Sequence, residues 1–200
     1  SFRFDIALEV DLIEEVARIH GYGRIPSRNL GGRVGMHQDG PDPRVRDWRR
    51  VLVERGYLEA ITFSFTDAGY QDLILGAGES LPLRNPIASD LSVMRRGLLP
   101  GLLGAVAFNL KRQQTRVRLF ELGRAFRVEN GRITQPLLLA GVIFGNNYPE
   151  QWDKNNISSD FYDVKNDVEA ILAAAGSSTD VRWQPDVIPG LHPGQTAEVF

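Results

Sequence analysis

The 200-residue chain sets 23 Lys and Arg against 25 Asp and Glu, a formal charge of 23 − 25 = −2, with 42% hydrophobic residues, 9% aromatic residues and no cysteine. That composition allows one large domain, or a domain and part of another, around an ordinary apolar core. It excludes disulfides, thiolate metal sites and a bulk cationic field for nucleic acid, and no apolar run approaches the ~18 residues that span a bilayer.

Residues 1–8, SFRFDIAL, alternate apolar and charged side chains and read as a strand. Residues 9–20 read as a helix with Leu12, Ile13, Val16 and Ile19 on one face, and Gly21 and Gly23 close it. Residues 27–41, rich in Gly, Asn and Ser, read as a linker, with a domain boundary there. Asp42-Pro43 opens a second helix with Val45, Trp48, Leu52 and the stem of Arg55 in one stripe, ending at Gly56. Residues 58–65, LEAITFSF, are β-prone, and a short helix over 67–75 is capped by Thr66 or Asp67.

A β-prone segment ending at Met94-Arg95-Arg96 leads into a helix in which Leu99, Leu102, Leu103, Val106, Ala107 and Leu110 recur at helical steps, with Pro100 in its first turn. Residues 116–122, RVRLFEL, alternate polar and apolar as a half-buried strand does. Gly123 is expected to permit a bend before a second strand over 125–128. Residues 137–145, LLLAGVIFG, are apolar enough for a strand buried on both faces. A polar loop follows, and Asp160 or Asp163 opens a helix carrying Val164, Val168, Ile171 and Leu172. Strands are expected around 181–183 and from 195. The chain begins at Ser1 rather than Met and ends within an expected strand, so a cut piece of a longer protein is anticipated.

The sharpest chemical signal is acidic. Asp11, Glu14 and Glu15 stand at i, i+3 and i+4 and share a helix face, and Asp5 precedes them. Converging carboxylates suit Mg²⁺. Equally, an acidic first turn complements the helix dipole, with Glu14 paired to Arg18 at i+4, and spacing alone favours this plainer role. Arg116 and Arg118 read as an outward-facing basic alternation. Arg44, Arg46, Arg49 and Arg50 could meet RNA phosphate, but Asp47 and Glu54 dilute them into a solvated helix face. His192-Pro193-Gly194 reads as a structural corner. Neither a P-loop, a dinucleotide fingerprint nor zinc spacing occurs.

The words NPIASDLSVMR, LLPGLL, NLKRQQTRVRLFELGRAF, DFYDVKNDVEAIL and LHPGQTAEV, spread along most of the chain, resemble the bacterial-type phenylalanyl-tRNA synthetase beta subunit. The resemblance implies an α+β fold: a class II aminoacyl-tRNA synthetase-like antiparallel sheet flanked by helices, lacking its active site. It divides the chain into the end of a small domain (1–27), a linker (28–41) and an incomplete catalytic-like module (42–200). It implies that Asp5, Asp11, Glu14 and Glu15, matching the family's DxxxxxDxxEE pattern, are metal residues of a Mg²⁺ site shared with the alpha subunit.

The whole enzyme, by the same resemblance, charges tRNA(Phe) with phenylalanine using ATP in the cytoplasm, with the chemistry on the alpha subunit and no membrane. The present stretch then has no catalytic residue and serves as a scaffold. Arg116 and Arg118 lie where a working class II enzyme holds a phosphate-clamping arginine, but no Gly-rich helix start with an arginine follows Gly145. A free-standing class II synthetase-like ligase and an RNA-binding module are the rival readings. That missing element weighs against the first, and the near-neutral charge against the second.

Overall fold

The computed structural model describes residues 3–27, 43–129, 131–153, 156–176 and 181–200. The chain divides into two compact units, Ser1–Asp39 and Gly40–Phe200. The linker expected over 28–41, and Asp42 as a helix cap, fall outside the described residues.

In the first unit, α1 spans Glu9–His20 and gives way to a single 3-10 turn, Tyr22–Arg24. Gly21 joins them at φ 92°, a left-handed backbone that glycine adopts without a Cβ penalty. The described part of the expected first strand, residues 3–8, forms a turn and irregular backbone instead. Alternation makes a strand only where another strand accepts its hydrogen bonds, and the described part of this unit has none. No α1 residue is buried; Leu12, Ile13, Val16 and Ile19 are all exposed.

The second unit is built on a three-stranded sheet. Its strands are β1 (Leu58–Glu59), β4 (Val117–Arg124) and β7 (Leu137–Phe144), in the order β1-β4-β7. β4 and β7 pair antiparallel over their whole length, Val117 opposite Phe144 and Arg124 opposite Leu137, while β1 runs parallel to β4. The sheet is therefore mixed rather than wholly antiparallel. Between β1 and β4 lie β2 (Phe65–Thr66), α3 (Ala68–Leu75), β3 (Val93–Met94) and α4 (Leu99–Leu110), with β2 antiparallel to β3. A β5–β6 hairpin (Arg127–Glu129, Arg132–Thr134) joins β4 to β7. Beyond β7, α5 spans Phe161–Ala174 and β8 (Trp183–Pro185) pairs with β9 (Ala197–Val199).

The two faces of β4 are packed differently. Phe120, Leu139 and Ile143 meet Leu52 and Tyr57, from α2 (Pro43–Glu54) and the turn after it, and Ile171 of α5. α4 packs on β4 and β7 and buries Pro100 together with Leu102 and Val106, two of the six residues in the stripe its spacing predicts. Ala107 and Leu110 stay exposed. β7 is less covered than its apolar run implies, with Leu137, Gly141 and Phe144 exposed. The caps resolve as single residues. Asp67 accepts from Tyr70 N–H to open α3, and Asp160 accepts from Tyr162 and Asp163 N–H to open α5, where Asp163 answers by accepting from Asp160 N–H.

Candidate functional site

At the start of α1, Asp11 turns its carboxylate back along the chain. Its Oδ2 accepts from Ala7 N–H at 2.9 Å and from Leu8 N–H at 2.7 Å. Leu8, the capping residue, has no side-chain acceptor, so Asp11 does the capping alone. Arg3 bridges two others: its Nη2 lies 2.6 Å from Asp5 Oδ2 and 3.0 Å from Glu15 Oε1. Glu15 also pairs with Arg18, one turn along, where the spacing alone suggests Glu14 as that partner.

These contacts set the local electrostatics. Hydrogen bonding to Arg3 holds the Asp5 carboxyl below its ordinary range, and Arg18, then Arg3, does the same for Glu15. The Leu8 and Ala7 amides lower Asp11. Asp5 and Glu15 thus meet on a guanidinium. Hard carboxylate oxygens are the right donors for Mg²⁺, but among the described residues no three acidic or histidine side chains are placed to hold a metal ion. As arranged, the four carboxylates do not fit one.

In the second unit, Arg116 and Arg118 are not the outward-facing pair their alternation suggests. Arg118 is buried. Its Nη1 lies 3.5 Å from Asp167 Oδ2, its Nη2 donates to Asn147 Oδ1 at 2.8 Å, and its guanidinium stands 5.5 Å from the centre of the Tyr57 ring. Arg116 donates to the carbonyls of Asn146 and Asn147. Both faces of β4 are covered, so a charged side chain on it must find a partner inside. Asp167 supplies one, accepting also from Arg55 Nε at 2.5 Å and Tyr57 OH at 2.6 Å. Burial and that hydrogen bond raise the Tyr57 hydroxyl above its ordinary range. A signal for this network exists in the sequence: Asp167 stands inside the apolar stripe Val164, Val168, Ile171.

A second buried network leaves a fainter trace. Glu121 on β4 and Arg95 after β3 pair at 2.6 Å, and Thr62 joins them through its hydroxyl. Gly123, expected to bend the chain, lies inside β4, and a Cβ there would stand 2.3 Å from Arg95 Nη2. Its purpose is room for a guanidinium.

The basic face of α2 is diluted by neighbouring acids. Arg49 pairs with Glu59 at 3.0 Å, Arg50 with Glu54 at 3.8 Å and Arg46 with Asp47 at 3.9 Å. His192 accepts from Gly194 N–H within its own turn. A cleft of about 530 Å³ lies over Leu75, Leu98 and Leu138, and its charged lining is Arg96 and Arg127 against Glu79 and Glu129. Two charges of each sign give it no net field for a polyphosphate. No helix among the described residues is long and apolar enough to cross a membrane.

The fold has relatives among solved structures. It superposes on a pyrrolysyl tRNA synthetase, PylSc, from Desulfitobacterium hafniense with a TM-score of 0.51 at 14% identity, covering 72% of this chain and 49% of that one. It superposes on an ATP phosphoribosyltransferase regulatory subunit/histidyl-tRNA synthetase from Bacillus halodurans with a TM-score of 0.53 at 14% identity, covering 79% and 41%. These likenesses show a class II aminoacyl-tRNA synthetase-like fold. In sequence, residues 1–22 match the tRNA synthetase B5 domain. Residues 25–200 match the phenylalanyl tRNA synthetase beta chain CLM domain.

Phenylalanine–tRNA ligase beta subunits align over the whole chain. That of Pseudomonas putida is 48% identical over 201 residues, that of Pseudomonas syringae pv. syringae 46% over 203 and that of Photorhabdus laumondii 45% over 205. The chain spans about a quarter of the length of these curated relatives, 25%, 25% and 26% respectively. On this evidence the chain belongs to the phenylalanyl-tRNA synthetase beta chain family.

Proposed function

We propose that this chain is a section of the beta subunit of a phenylalanine–tRNA ligase, an enzyme that joins phenylalanine to tRNA(Phe) with ATP. In this reading the Gly40–Phe200 unit is a non-catalytic scaffold that packs on the alpha subunit, and the assembly works in the cytoplasm. The observation that carries it is an exposed apolar row at one edge of the sheet. β1 is the edge strand, and Leu58 on it and Ile61 and Phe63 just beyond it are 71%, 93% and 71% exposed. Ile61 and Phe63 alternate onto one side of the strand and Leu58 onto the other, and large apolar side chains left exposed along a sheet edge call for a covering partner. The relatives are named as beta subunits, so the partner with the strongest claim is the companion alpha chain.

Catalytic silence is supported by the fates of the arginines. Arg116 and Arg118 are tied to carbonyls, Asn147 and Asp167, and the cleft bounded by Arg127 carries balanced charge. The pairing of Arg46, Arg49 and Arg50 with acids weighs likewise against an RNA-binding module. The Mg²⁺ site of Asp5, Asp11, Glu14 and Glu15 stays a proposal for the assembled enzyme, in which Arg3 would first have to withdraw, and no step of this reading passes through it.

The test is phenylalanine-dependent ATP–pyrophosphate exchange. The beta subunit alone is expected to show none, and with the alpha subunit added the exchange is expected to survive Arg127→Ala in this chain. Exchange by the beta subunit alone, abolished by that substitution, would overturn the scaffold reading.

A further inference from the structure

The strand begun by β1 leaves the β4 ladder after one further bond, Ala60 N–H to Phe120 C=O at 2.7 Å. At Thr62 a side chain takes over: Glu121 Oε1 accepts the Thr62 N–H at 3.3 Å and Glu121 Oε2 accepts its hydroxyl at 2.7 Å. Arg95 completes the clamp. Its Nη1 donates to Glu121 Oε1 at 2.6 Å and to Thr62 Oγ1 at 3.1 Å, its Nε donates to Arg124 C=O, and its own N–H donates to Ser64 C=O at 2.9 Å. Glu121 is 2% exposed and Arg95 6%.

Room has been made for this arrangement on both sides. A Cβ on Gly101, in the first turn of α4, would stand 2.3 Å from Thr62 Oγ1, and one on Gly123 would stand 2.3 Å from Arg95 Nη2. An ion pair this deep adds little stability over well-packed apolar side chains, because desolvation offsets most of the attraction. What it supplies here is position. With Thr62 and Ser64 held inward, strand alternation turns Ile61 and Phe63 outward.

We propose that the buried Arg95–Glu121 pair positions residues 61–65, and so holds Ile61 and Phe63 in register for the alpha subunit; this rests on the docking role proposed above. Arg95 and Glu121 act through Thr62 and Ser64 and touch no partner themselves.

The experiment uses the full-length beta subunit with its alpha subunit. In Arg95→Leu/Glu121→Leu, with both charges removed together, the fold is expected to survive. Amide exchange at residues 61–65 is expected to accelerate at least about tenfold while β4 keeps its protection. Alpha-subunit affinity is expected to fall by about tenfold as well. Arg95→Lys keeps the charge but loses the fork; it is the second variant should the double one fail to fold, with the same direction expected. Unchanged exchange at residues 61–65 in a folded variant overturns the positioning role, as does faster exchange with unchanged affinity. Ile61→Asp separates the two levels, since it should weaken assembly without changing exchange. If it leaves affinity intact, the docking role itself falls.

Discussion

Replacing Asp167 by alanine removes the counter-charge from a buried arginine. Arg118 is 8% exposed, its nearest acid is Asp167, and its other assigned partners are the neutral oxygens of Asn147 and of the Arg55 carbonyl. The same change orphans the Tyr57 hydroxyl, which donates to Asp167 Oδ2 at 2.6 Å. Breaking a buried pair from one side costs about 3–5 kcal/mol, because the remaining charge stays desolvated. For a unit of this size that is a fall in Tm of roughly 6–20 °C, at about 2–4 °C per kcal/mol. Asp167→Asn keeps an acceptor for Tyr57 and loses only charge, so its cost should be smaller, about 1.5–3 kcal/mol.

Asp167→Leu with Arg118→Met removes both charges and should recover much of the loss. The assay is calorimetric or urea unfolding of the four proteins, with the Gly40–Phe200 transition followed. A loss under about 1 kcal/mol for Asp167→Ala, or a double variant no better than the single one, would show that Asp167 behaves as an exposed pair does and not as the counter-charge of a buried arginine.

Three further outcomes follow from other sites. Asp11→Ala should cost α1 about 1 kcal/mol of helix stability, as loss of a capping acceptor does, read by circular dichroism of the wild-type and variant chains. The Asp5 and Glu15 carboxyls are lowered by their arginines, so the pairing they support is fully present above the ordinary carboxylate range. It is lost as pH falls through the lowered values, and side-chain NMR titration should show both groups protonating below the ordinary carboxylate range. Gly101→Ala would bring a methyl to 2.3 Å from Thr62 Oγ1 and 2.8 Å from its Cβ, and should cost about 1–3 kcal/mol despite alanine's better helix propensity, as chemical denaturation would record.

What the sequence made legible was what depends on local periodicity. The stripe Val45, Trp48, Leu52 put α2 on the sheet, Leu102 and Val106 did so for α4, and the pairs Thr66/Asp67 and Asp160/Asp163 narrowed two helix starts to neighbouring candidates, of which Asp67 and Asp160 are the caps. Less legible was whatever depends on the partner across space. The alternation of residues 58–65 continues past Glu59 without a continuous ladder, because the Glu121 side chain replaces the backbone acceptor at Thr62. The alternation of Arg116 and Arg118 looked solvent-facing because nothing nearby in sequence reveals that α2 and α5 cover that face and bring Asp167 with them. Gly123 was read as a bend because close approach of a side chain 28 positions upstream leaves no local mark. At the acidic cluster, spacing puts three carboxylates on one helix face, but it is silent about Arg3, which takes two of the four for itself.

In the proposed reading the Gly40–Phe200 unit holds a partner and performs no chemistry. The most direct test of that reading is a titration of the beta subunit carrying Ile61→Asp with the alpha subunit, recording binding affinity and, at saturating alpha subunit, the rate of ATP–pyrophosphate exchange. Affinity is expected to weaken at least about tenfold, as follows from a charge placed in an apolar contact, with the saturated exchange rate unchanged. Affinity equal to wild type together with a lost exchange rate would contradict that reading.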